Sequence, residues 1–486
     1  MSSLLRQGAT NAVRRLQPRV LPSNAQAIVL GNLRSLSSTA KNPEEAALLS
    51  EQDPVKAEKE NEAVTRLERL LKVSERLREQ AGDSAVPLSM KGLGVYSKDG
   101  VVQRAPIEEN LEGLEPLPTE RRPGDSFCSM ELKFSEDDAL KEEFVGGYSK
   151  VRMGALLEKF DWLAGSSAYQ HVLPTGTSVA DASKYGFFLV TAAVERMDVL
   201  RPLYNPDGSV PDLRLAAHVA YATESSLEVF VRLSTMNDSP ADSSTILIGR
   251  FTMVCRSAKG GKFPVPKLVV EGPEEEEMFE MGRELRETKK KRAAKSLERI
   301  PPTAEEAAMI HDLFLKNAPL YDRKSVPPPN IVFTSDTRIR SASLMHPAFR
   351  NLHNKIFGGK LMSLAYEAAY STACLFARSP VTFVALDELQ FRQPVEVGAL
   401  LVLDSRVTFS PLVGEHKSFH VSVEAATVDL YTGEKRITNT FHWTFSSDKA
   451  LERQVLPRTY RQAMQWLDAQ RRRAVGIEVR KTYSSP

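Results

Sequence analysis

The chain has 486 residues, 42% of them hydrophobic, which is enough for roughly two to four domains with sizeable cores. Lys and Arg number 64 against 62 Asp and Glu, a net charge of +2, so no global field argues for a nucleic-acid partner. No apolar run reaches the ~18 residues that span a bilayer, which excludes a transmembrane segment. Cys128, Cys255 and Cys374 lie far apart with no CxxC pair, and read as buried free thiols of a reducing compartment.

Residues 1–42 hold no Asp or Glu, while Arg6, Arg14, Arg15, Arg19 and Arg34 are spread among Ser, Leu, Ala and Val. That is the make-up of a mitochondrial transit peptide, and Arg34 to Ser38 (RSLSS) resembles a matrix-processing site. The expected location is the mitochondrial matrix; a disordered basic tail is the alternative. Residues 43–82 switch to Glu, Lys, Arg and Ala, with Val64, Leu67, Leu70, Leu71 and Leu77 on one helical stripe. Residues 82–124, with several Pro and Gly, read as a linker, so 43–124 is an amphipathic helix and linker.

From residue 125 a globular pattern begins. Residues 151–168 read as a helix with Leu156, Leu157, Phe160, Leu163 and Ala164 on its apolar side. Strand-like runs follow at 186–197, 213–221, 226–233 and 246–256. A charged helix over 271–296 ends at Pro301-Pro302, and Thr303 with Glu306 makes a capping box for a helix over 304–316. The stretch 345–376 then turns on Gly358-Gly359 into a helix that is apolar nearly all round, which requires burial on most sides. Strand runs return at 381–391, 400–409, 417–427 and 437–445.

Both halves therefore repeat one order: loop, helix with a glycine near its start, several antiparallel strands. Gly154 matches Gly359, TAAVERMDVLRPL matches FVALDELQFRQPV, and IGRFTMVCR matches TNTFHWTFS. Such a long period points to a duplicated domain rather than a solenoid. Two sheets side by side would hide each other's edges.

These residues carry a family resemblance. NKIFGG followed by LM and, on the same helix, AYEAA, then FRQPVEVG in the next strand, with VRMGALLEKFDWLAG in the first half, resemble the tandem hotdog acyl-CoA thioesterases over residues 125–472. The resemblance implies an α+β fold of two hotdog domains, each an antiparallel sheet wrapped around a central helix. They would span residues 125–270 and 336–472, joined by a helical linker over 271–335 and followed by a tail, 473–486. It implies hydrolysis of fatty acyl-CoA, no metal or redox cofactor, and a homo-oligomer built as a trimer of double hotdogs. A catalytically silent pair that binds acyl-CoA or serves as a structural subunit is the alternative; an acyl-CoA dehydratase shares the fold but uses a His beside its carboxylate.

Thioester hydrolysis needs a group to activate water and N–H donors for the oxyanion. By the resemblance, Asp161, seven residues beyond Gly154, is the catalytic carboxylate. Read without it, Asp161 is more readily an exposed residue paired with a Lys or Arg. The second half would supply Asn354, His353 and Asn351 as polar partners, with Gly358 and Gly359 holding the thioester oxygen. Arg350 and Lys355 are candidates for coenzyme A phosphates. Tyr366 stands where the second carboxylate would be, and Glu367, one step round the helix, is the candidate for a second site. His346, His416, His420 and His442 show no metal-ligand spacing.

Overall fold

The computed structural model describes residues 54–81 and 113–484, apart from 147–149, 180–181, 183, 206, 237–243, 295, 323–324, 352–353, 388 and 415–416. All of them except Pro54–Ala57 belong to one compact unit, Glu58–Pro486. The transit-peptide stretch and most of the expected linker lie outside the described residues.

The fold is α+β. Helix α1 (Pro54–Ala81) comes first. The first half then contains strand β1 (Cys128–Leu132), helix α2 (Met153–Val172), and strands β2 (Phe187–Val194), β3 (Met197–Val199), β4 (Leu213–Ala222), β5 (Ser226–Thr235) and β6 (Thr245–Ser257). Helices α3 (Pro273–Ala294) and α4 (Ala304–Lys316) connect to the second half. There β7 (Ile339–Leu344) precedes helix α5 (Gly358–Ala377). Strands β8 (Val381–Leu386), β9 (Leu389–Gln390), β10 (Leu400–Phe409), β11 (Ser418–Val428) and β12 (Lys435–Ser447) follow, then helix α6 (Tyr460–Ser484). The expected strands and helices are present within a few residues. The stretch expected as a tail, 473–486, continues α6 as far as Ser484. The capping box of α4 is formed: Thr303 Oγ1 accepts from the Glu306 N–H at 3.3 Å, and the Glu306 carboxylate takes the Thr303 N–H at 2.9 Å.

The strands form one 12-stranded sheet, in the order β7-β10-β11-β12-β8-β3-β6-β5-β4-β1, with β2 pairing β6 and β9 pairing β2. The halves meet where β8 pairs antiparallel with β3, Ala385 opposite Asp198 and Leu386 opposite Met197. This is how two open sheets remove an edge from each other. Arg196 ties the seam: its Nε donates to Asp198 at 2.8 Å and its Nη1 to Asp387, and both carboxylates are buried.

Alternation along the strands sorts side chains between two faces. On β4, Leu213, Leu215, Ala217 and Val219 join the main core around the two central helices, while Ala216 and Ala220 join the cluster under α1. Leu67, Leu70, Leu71, Val73 and Leu77 of α1 are buried in that cluster, each contributing about 1.5–3 kcal/mol where a large side chain is fully covered. On the second half Trp466 and Leu467 of α6 cover Phe409, with Ile310 and Leu313 of α4 packed alongside. Met278 of α3 joins the cluster under α1, so each half carries a helix pair on its outer face and strands such as β4 are buried on both sides.

The central helices α2 and α5 pack on each other, and glycines set how closely. A Cβ on Gly359 would lie 2.9 Å from the Glu158 Cα, and one on Gly154 would lie 2.9 Å from Ser363 Oγ. Only a residue without a side chain lets the backbones approach this far. The N-terminus of α5 is thereby brought against the middle of α2.

Candidate active site

Asp161 lies in the third turn of α2 and is 1% exposed. Its flanking residues Phe160 and Leu163 pack into the core, so the carboxyl is carried inward with them. Thr191 of β2 donates its hydroxyl to Asp161 Oδ1 at 2.7 Å, and the Gly359 N–H of α5 donates to Oδ2 at 2.6 Å. Neither partner is charged. Desolvation therefore dominates and pushes the carboxyl from 3.8 up to about 6, against the two hydrogen bonds that favour the anion. The exposed, ion-paired alternative for Asp161 is not what the structure contains.

One of the two glycine amides is already committed. The sequence suggested that Gly358 and Gly359 both hold the thioester oxygen, but the Gly359 N–H holds the carboxylate. Gly358, the first residue of α5, has no hydrogen-bond partner for its N–H among the described residues, as the first turn of a helix leaves such groups open. A Cβ on Gly358 would stand 2.9 Å from Asp161 Oδ2, so the carboxylate lies close beside this residue.

Thr191 was missed by sequence reasoning, although a signal existed. In the aligned motifs Thr191 matches Phe383, as Asp161 matches Tyr366. The structure bears the alignment out: both strands carry a register shift at that residue, between Thr191 and Ala193 in β2 and between Phe383 and Ala385 in β8. At the mirror position Tyr366 and Phe383 meet edge to face at 5.9 Å, with Trp443 at 5.5 Å from Tyr366. The polar pair of one half is an aromatic pair in the other.

No protein-family model matches the chain. Over 370 residues it is 33% identical to acyl-coenzyme A thioesterase 9, mitochondrial, of Bos taurus, covering 75% of this chain and 80% of that protein. The Homo sapiens acyl-coenzyme A thioesterase 9 matches at the same identity and coverage. The chain belongs to the acyl-CoA thioesterase family. A thioesterase of this family hydrolyses the thioester of an acyl-CoA. A solved acyl-CoA hydrolase from Staphylococcus aureus, in complex with butyryl coenzyme A, coenzyme A and coenzyme A disulfide, is also similar, at 23% identity, 31% of this chain, 96% of that chain and a TM-score of 0.29.

The remaining residues expected to serve the thioesterase are unequally placed. Asn354 has a left-handed backbone, φ 58°, and a buried Oδ1 that accepts no hydrogen bond among the described residues. Asn351 instead closes the loop: its Oδ1 accepts from the Lys355 N–H at 3.1 Å, and its N–H donates to the Lys355 carbonyl at 2.7 Å. His353 lies outside the described residues. Lys355 is ion-paired with Glu396, which offsets the charge that a coenzyme A phosphate would need. Arg350 is partly buried and bridges Ile356 across the same loop, so its backbone shapes the turn. Glu367 is exposed on α5; its Oε1 lies 3.4 Å from the position of a Cβ on Gly154, at the start of α2.

Proposed function

We propose that this thioesterase hydrolyses fatty acyl-CoA to free fatty acid and coenzyme A in mitochondria, with Asp161 as the general base of one centre shared by two tandem hotdog domains, 125–270 and 336–472. The observation that carries the reading is the Asp161 carboxylate, buried, held among the described residues by two neutral donors and placed at the N-terminus of a helix from the other half. A carboxyl at about 6 is ionised at neutral pH, yet basic enough to take a proton.

In this reading a water sits between Asp161 and the thioester carbon. Asp161 removes one water proton as the oxygen attacks, and the carbonyl oxygen gains its charge against the Gly358 N–H and the positive end of the α5 dipole. Collapse breaks the C–S bond, and protonated Asp161 returns the proton to the departing thiolate. Because donors already hold both carboxylate oxygens, the base role fits better than direct attack on the carbonyl. Asn354 supports the site as a second polar group: a buried oxygen without a partner among the described residues, on a strained backbone, is what a residue reserved for water or substrate presents.

The aromatic pair Tyr366–Phe383 at the mirror position, and the exposure of Glu367, favour one working centre per chain. The acid-free, Arg-bearing N-terminus and the mitochondrial names of the relatives support the location. Chains of this resemblance assemble further, and a trimer of double hotdogs is the proposed state. Thiol release from short, medium and long acyl-CoAs tests the assignment. Asp161→Ala should lose at least ~10²-fold while Glu367→Ala stays near wild type; an active Asp161→Ala would move the chemistry elsewhere.

A further inference from the structure

Phe391 follows β9 and belongs to the second half, and its ring tip lies beside Gly358, the residue that also neighbours the Asp161 carboxylate of the first. The point where a Gly358 Cβ would stand is 2.9 Å from Asp161 Oδ2 and 3.2 Å from Phe391 Cζ. Ring tip, carboxylate and the first residue of α5 thus stand in close mutual approach.

The backbone explains why the ring stays there. Leu389 and Gln390 pair with Val194 and Ala193 of β2, and the Phe391 N–H donates to the Ala192 carbonyl at 2.9 Å. Ala192 falls at the register shift just after Thr191. The same kink that aims Thr191 at Asp161 therefore anchors Phe391. On its other side the buried Asn439 donates Nδ2 to the Gln390 carbonyl at 3.2 Å. Phe391 itself is partly buried and packs against the main core.

We propose that Phe391 is a specificity-determining residue of this thioesterase, the wall against which the acyl α-carbon lies, and that it disfavours acyl-CoAs branched next to the carbonyl. The proposal rests on the reading of Asp161 and the α5 N-terminus as the hydrolytic centre. A carbonyl whose oxygen meets the Gly358 N–H, and whose carbon is within reach of a water on Asp161, lies beside that ring tip. Its two substituents are unlike. The sulfur leads to a large charged nucleotide that must reach solvent, whereas the acyl group is apolar and suits a ring packed on the core. In this placement the unbranched CH2 lies against that ring. An added α-methyl group needs volume that the ring fills, and neither the anchored backbone nor the core behind it yields cheaply.

The test compares kcat/KM for butyryl-CoA and isobutyryl-CoA in the full chain, wild type beside Phe391→Ala and Phe391→Leu. The isobutyryl-to-butyryl ratio should rise about tenfold in Phe391→Ala, the scale of one misfit methyl group in an apolar pocket, and less in Phe391→Leu. Phe391→Leu keeps most of the apolar volume and so guards against a folding defect. A ratio within about twofold of wild type in both variants overturns the proposal. Asp161→Asn in the same assay separates the two levels: if it remains active the centre itself is misassigned, and if it is inactive while the ratio is unmoved, only the role of Phe391 falls.

Discussion

Replacing Asp161 by Asn should remove activity and at the same time stabilise the protein above neutral pH. The carboxyl rises from 3.8 to about 6 on folding, chiefly by desolvation. Between those values the folded chain keeps a proton that the unfolded chain has released, so stability falls as pH rises through this window. Above about pH 6 the full deficit is present, about 3 kcal/mol at 1.36 kcal/mol per tenfold change in proton affinity. Asn avoids it without losing the geometry. Its Oδ1 can accept from the Gly359 N–H, and its Nδ2 can donate to Thr191 Oγ1, because a hydroxyl rotates to accept. Thermal unfolding of both proteins should place Asp161→Asn a few degrees above wild type at pH 8, with the gap closing towards pH 4. A variant that is less stable at pH 8, or a gap independent of pH, would refute the argument that burial of the charge is what tunes this residue.

Thr191→Ala removes a donor that favours the anion, so the acidic limb of kcat/KM should move to higher pH and Thr191→Ser should restore it; pH–rate profiles check this. In Gly358→Ala a methyl group would press on Asp161 Oδ2 and the Phe391 ring, and displacement of the carboxylate on the scale of 1 Å should cost about 10²-fold in kcat/KM with the fold retained, as read by steady-state kinetics and circular dichroism. Arg196→Met leaves Asp198 and Asp387 buried at the seam without their shared cation and should destabilise by about 3–5 kcal/mol in denaturant titrations.

Local signals made most of the fold legible. Thr303 and Glu306 mark the start of α4 because a capping box is decided within four residues. The apolar residues around Gly358–Ala377 announce a buried helix because few other environments tolerate them. Asp161 was legible only through the resemblance, since a lone Asp on a helix reads more readily as an exposed ion pair. Its partners were harder. Thr191 reaches it from a strand thirty residues on, through a bulge that no residue type signals, and the Gly359 amide arrives from the other half. That the Gly359 N–H holds the carboxylate, leaving Gly358 open, depends on the register of α2 against α5. Sequence does not encode this locally. Lys355 shows the same limit, because its pairing with Glu396 is a contact between distant loops.

The most direct test is the pH dependence of kcat/KM for the full chain with an unbranched acyl-CoA. Activity should fall as pH drops through about 6, because the base must be ionised, and this limb should be absent from the residual activity of Asp161→Ala. A limb near 4, or one near 6 that persists in Asp161→Ala, would contradict the assignment of Asp161 as the buried base.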